Sequence, residues 1–129
     1  MMVRKKVKLN GITEYFQSDL YEMSNYGSDD TGLSSGTKLW IREEPKALPH
    51  TKYRIKIDHP QKGSAVFSLW GDEAQQVAGN WKVTGGDLKR ILLLIKLTHD
   101  SLRQHIDGTR SSGQLTMDLL KAKEEVENG

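Results

Sequence analysis

Cysteine is missing altogether from this chain of 129 residues, and that removes disulfides, thiolate nucleophiles and every cysteine-ligated zinc arrangement from consideration. A reducing, cytoplasmic setting is the expectation. Long hydrophobic runs are missing too. The longest, "ILLLI", falls far short of the roughly 20 apolar residues that span a bilayer. The basic start "MMVRKKVKLNG" is followed by no apolar stretch of the secretory kind, so neither export by that route nor a membrane partner is expected. An excess of charge of one sign is also lacking: 19 basic against 17 acidic residues leave a net charge of +2, too balanced for the total to indicate a nucleic-acid partner. Nucleotide loops are absent, since "GTRSSG" lacks the phosphate-loop lysine and "VTGGD" lacks dinucleotide-fold spacing. No base neighbours Ser111 or Ser112 in sequence, and no HExxH pair sets two histidines one helical turn apart. No cofactor and no metal are expected.

What is present suffices for one core. The length is that of one ordinary domain, and 36% hydrophobic with 28% charged residues describe a globular protein with an economical interior. Val3, Val7 and Leu9 predict a short strand closed by Asn10 and Gly11. Ile12, Phe16, Leu20 and Met23 recur at helical spacing and predict a helix stopped at Gly27. The stretch "GSDDTGLSSG", residues 27 to 36, reads as a loop with few side chains to repay its ordering. Residues 1–36 are thereby set apart as an N-terminal appendage from a main domain over residues 37–129.

From Thr37 the pattern becomes short strands punctuated by Pro and Gly. "TKLWIRE", "KYRIKIDH", "SAVFSLW" and "EAQQVAGNW" predict an antiparallel meander in which Tyr53, Ile55 and Ile57 face inward and Lys52, Arg54, Lys56 and Asp58 outward. A long helix follows, capped by Asp87 and running through Ile106 to a stop at Gly108. Leu88, Ile91, Leu92, Ile95, Leu102 and Ile106 share one face of it, whereas Leu93, Leu94 and Leu97 fall outside that stripe and need a second cover. The segment with Leu115, Leu119 and Val126 at helical spacing supplies one within the chain, giving a monomer, and the same helix of a second chain is the homodimer alternative. The predicted fold is α+β: an antiparallel sheet of about four strands with a long amphipathic helix packed on one face, plus shorter N- and C-terminal helices.

Charge distribution is more telling than its total. Arg4, Lys5, Lys6 and Lys8 cluster first, and Lys38, Arg42, Lys46, Lys52, Arg54, Lys56 and Lys62 second, although a solvated surface accounts for either. Lys38, Trp40 and Arg42 share one side of the first strand and Lys52, Arg54 and Lys56 one side of the second. Side by side, the two strands form a cationic face carrying an indole, the means by which sheets hold single-stranded nucleic acid. Burial of Trp40 under the N-terminal helix is the other reading. His50 and His59 bracket the second strand and, with the neighbouring cations, are the candidate acid and base of a metal-independent ribonuclease. They have opposite parity and lie at opposite ends of the strand, so plainer roles compete: a loop residue after Pro49 and a turn residue before Pro60. His99 reads as a satisfied histidine on the helix, and His105 as complementing the helix dipole.

"LPHTKYRIKI", then "SAVFSLW", then "LKRILLLIKLTHDSLRQHIDG" together resemble a widespread family of small bacterial proteins of unknown function, often encoded in pairs that look like toxin and antitoxin modules. The likeness covers residues 37–107. That family enters its strand through Pro-His-x-His; here Pro49 and His50 match and Lys52 stands where the second histidine would be. The resemblance implies a regulator of bacterial or mobile-element origin. Taken together, the expectation is a small non-enzymatic binding or regulatory protein with nucleic acid ahead of a protein as partner. The alternatives are a ribonuclease of toxin type and a protein-protein interaction or inhibitor module.

Overall fold

Alternation decides the sheet. The computed structural model describes residues 23–42 and 49–129. Its strands are β1 (Met23–Tyr26), β2 (Lys38–Arg42), β3 (Arg54–His59), β4 (Gly63–Ser68) and β5 (Gln75–Ala78), and its helices α1 (Ser28–Thr31), α2 (Pro49–Lys52), α3 (Gly85–Ile106) and α4 (Ser112–Asn128). The strands form one antiparallel sheet in chain order, β1-β2-β3-β4-β5. On its inner face Leu39 pairs with Ile57, Ile41 with Ile55, Ile55 with Phe67 and Ile57 with Ala65, and all six side chains are buried. These cross-strand apolar pairs make the floor on which both long helices sit. Ile91, Leu94, Ile95, Leu102 and Ile106 of α3 and Leu115, Leu119, Ala122 and Val126 of α4 join them in one core cluster.

The fold is the expected α+β, with a fifth strand. Met23–Tyr26 is a strand where the apolar spacing predicts a helix end. Of that helical series only Met23 lies within the described residues, and pairing with β2 decides its state: Tyr26, opposite Leu39, is buried, and Ser24 lies opposite Ile41. The rest of the expected helix, the strand at Val3 to Leu9 and the first basic cluster lie outside the described residues.

The segment expected as a bare loop is ordered by its own small side chains. Thr31, Leu33 and Thr37 are buried; Leu33 N–H donates to Thr31 Oγ1 at 3.2 Å, and the Ser34 and Thr37 hydroxyls bond at 2.8 Å. Gly32, at φ +80°, lies so close to α4 that a Cβ there would stand 2.7 Å from the Lys123 carbonyl oxygen. Residues 28–37 thus pack on one another and against α4.

Two smaller corrections concern element starts. Lys52, expected to open the second strand, closes the α2 turn instead, and Pro49 sits at that turn's first position, where a missing N–H costs nothing. Thr84, not Asp87, occupies the α3 N-cap position; Asp87 lies in the first turn and accepts from Lys62 Nζ at 2.7 Å. The helix is also kinked at Thr98 (φ −122°, ψ 18°), whose hydroxyl donates back to the Leu94 carbonyl at 2.7 Å, a bond known to bend helices.

The second cover for α3 comes from the same chain. Ser111 and Gln114 form a capping box that starts α4, Leu94 is fully buried, and Leu93 is half-buried against Gly129. Leu97 remains 40% exposed beside Ala122. No helix among the described residues is long and apolar enough to cross a membrane.

Candidate nucleic-acid interface

With both long helices beneath the sheet, its other face carries the alternate side chains of the strands. Lys38 lies opposite Asp58 and Trp40 opposite Lys56 across β2 and β3, and Arg54 lies opposite Ser68 across β3 and β4. Arg42, paired with Met23, shares the parity of Lys38 and Trp40. Lys38, Arg54 and Lys56 are exposed. Asp58 is the one acid at an outward strand position among the described residues. It accepts from the Ser64 hydroxyl and makes an ion pair with Lys56 at 3.8 Å, a solvent-exposed contact of the weak kind that a phosphate can displace. Trp40 is half-buried, and its indole N–H is covered without an acceptor among the described residues. The result is a cationic strip with an indole in register, able to attract phosphates without any chemical step.

Lys52 does not belong to this face. The strand starts two residues later, and the α2 turn sends the ammonium around the end of the sheet to Asp107 Oδ1, 2.5 Å away at the foot of α3. The Tyr53 hydroxyl donates to both oxygens of the same carboxylate at 2.8 and 3.1 Å. Burial alone would raise the Asp107 carboxyl; the bonds from Lys52 and Tyr53 and the charges of Lys52 and Arg103 outweigh it and hold the group below its ordinary value. The hydrogen bond to Asp107 in turn raises the Lys52 ammonium. A second tie of this kind joins Arg110 to Asp118 at 2.5 and 2.9 Å; the guanidinium bond lowers the Asp118 carboxyl.

Depressed carboxylates stabilise the fold above the ordinary carboxylate range, about pH 4, and the contribution is lost as pH falls through their lowered values. The Lys52 contribution, from a raised amine, is lost only on the alkaline side. Urea midpoints followed from pH 7 to pH 2 are therefore expected to drop below about pH 4. Asp107→Asn and Asp118→Asn should each lower the neutral midpoint and flatten that acid limb; an unchanged limb in both variants would contradict the assignment.

The histidines are not brought together. His59 Nδ1 accepts from the backbone N–H groups of Gln61 and Lys62 at 3.1 and 3.2 Å, and its ring meets Trp81 edge-on at 5.2 Å. It organises the hairpin turn. His50 lies in α2, beyond the other end of β3. His99 Nε2–H donates to the Leu69 carbonyl at 3.2 Å, fastening α3 to the end of β4, and His105 Nδ1–H donates to the Arg110 carbonyl at 2.8 Å, fixing the turn into α4. Among the described residues no group of three or more acids and histidines is placed to hold a metal ion.

No protein-family model, curated protein or solved structure matches the chain. Its own geometry is what bears on its function.

One cluster has no local sequence signal. At the end of the sheet where β3 begins and β4 ends, the Tyr53 and Trp70 rings are parallel within 6° at 6.3 Å, and the Arg103 guanidinium carbon lies 4.1 Å from the Tyr53 centroid and 5.9 Å from that of Trp70. The three residues are separated by 17 and 33 positions along the chain, so only the hairpin and the returning helix bring them together.

Proposed function

We propose that this chain is a small non-enzymatic module that holds single-stranded nucleic acid on the outer face of its sheet, in the regulatory setting of a bacterium or mobile element. The observation that carries it is the register: exposed Lys38, Arg54 and Lys56 share one face, with Trp40 directly opposite Lys56. Phosphates need cations spaced along a surface, and bases need a π-face; both residue types occur here in one strip. A ribonuclease draws no support from His59, whose Nδ1 is engaged by the turn.

A mobility-shift titration with a labelled single strand is expected to show binding at low salt that fades toward physiological salt. Contacts from three cations give a slope of log K against log salt near −2, at about −0.7 per contact for single strands. Arg54→Glu combined with Lys56→Glu should abolish the shift. Absence of any shift by the unmutated chain at low salt would end this reading.

A further inference from the structure

We propose that Trp70 and Arg103 form a base-and-phosphate clamp for one nucleotide of a single strand whose neighbouring phosphates lie on the outer sheet face, an inference that rests on the nucleic-acid reading above. Trp40 is less accessible than Trp70, being half-buried. Trp70 is 49% exposed, and it is the one exposed aromatic ring among the described residues. It is also held in place: its backbone N–H donates to Ser68 Oγ at 3.2 Å, and one face of the indole is turned to the parallel Tyr53 ring. At 49% exposure the indole keeps surface open to a planar ligand, and a ring already fixed in orientation loses little freedom on binding.

Arg103 supplies the complementary group. Its guanidinium rests on Tyr53 by cation-π contact and makes no hydrogen bond or ion pair among the described residues. Asp107, four residues on, is already engaged by Lys52 and the Tyr53 hydroxyl, and Asp100, three residues back, is 94% exposed and makes no ion pair with Arg103. The Arg103 N–H donors are therefore open, in the planar arrangement that suits phosphate.

Continuity with the cationic strip follows from the register. Ser68, the last residue of β4, lies opposite Arg54, and Trp70 follows two residues later in the chain. Beside Arg103 lies a polar cleft of about 490 Å³, lined also by Lys96 and His99. Asp72 and Asp100 line the same cleft and keep it from accepting a run of phosphates. What its chemistry admits is a single phosphate at Arg103 with its base on Trp70.

The test compares a labelled oligothymidylate with an abasic strand of equal length, by fluorescence anisotropy at low salt. The unmutated chain is expected to bind the oligothymidylate about tenfold more tightly than the abasic strand, the size of one base-aromatic stack. Trp70→Ala should remove most of that difference and leave abasic binding unchanged, and Trp70→Phe should restore most of it. Arg103→Ala should weaken both strands. Equal affinity of the unmutated chain for the two strands would overturn the clamp while leaving the sheet-face reading standing, without recourse to any variant. Binding of neither strand would overturn both.

Discussion

Ending the chain at Ser111, which removes α4, is expected to abolish the cooperative unfolding transition. Leu115, Leu119 and Val126 are fully buried, and at about 1.5 to 3 kcal/mol each their loss alone withdraws roughly 5 to 9 kcal/mol. The same truncation strips the cover from Leu94 and removes the surface on which Gly32 and α1 rest. A domain of this size has a total stability of only about 5 to 15 kcal/mol, so the remaining sheet and α3 have nothing comparable in reserve. Urea denaturation followed by far-ultraviolet circular dichroism should show a broad, non-cooperative decline for the shortened chain. A cooperative transition near the full-length midpoint would contradict the cover assigned to α4. Leu97→Lys makes the contrast, because that side chain is already 40% exposed: its transition should stay within about 0.5 kcal/mol of the original.

The second large effect comes from a single methyl group. Gly79→Ala places a Cβ 2.3 Å from the Ser64 carbonyl oxygen and 2.7 Å from Ala65 Cα, at a backbone φ of +110° that an L-residue avoids. Neither contact is with a side chain that can swing aside. The Ser64 carbonyl also accepts from Trp81 N–H at 3.0 Å, so moving it releases the segment that seats the buried Trp81 ring. Strain and clash together should cost more than about 3 kcal/mol, near the upper end for one substitution. Gly71→Ala, at a position with open space around it and no left-handed φ, is expected to stay within about 0.5 kcal/mol. Similar midpoints for the two variants would mean that the crossing at Gly79 is looser than the backbone geometry shows.

What could be read from the chain beforehand depended on whether the deciding contact was local. The two-residue period of Leu39 and Ile41, and of Ile55 and Ile57, reports burial on one face, and it was legible because each strand carries its own alternation. The turn role of His59 was legible as well, since Pro60 follows it and its partners are Gln61 and Lys62. β1 was not. Met23 completes a helical series by spacing, and what makes it a strand is pairing with β2, 15 and more residues downstream. Lys52 was misplaced for a related reason: extending the period of β3 backward by one step crosses into the α2 turn, where parity has no meaning. As for the candidate site, the strip on β2 and β3 could be drawn from sequence. The arrangement of Tyr53, Trp70 and Arg103 could not, because no periodicity links a residue before one strand, a residue after the next and the last turn of a helix.

Because each strand hydrogen-bonds only to its neighbours in chain order, the sheet can be assembled by short steps, hairpin after hairpin, without closing a large loop. The long closures are deferred to the helices. Ser24 of β1 meets Ser112 at the start of α4, 88 residues away, and that contact can form only after the intervening chain has turned back beneath the sheet. Folding rate should therefore be governed by the β3-β4 hairpin, while the docking of α4 against β1 and α1 comes late and chiefly sets how slowly the finished molecule comes apart.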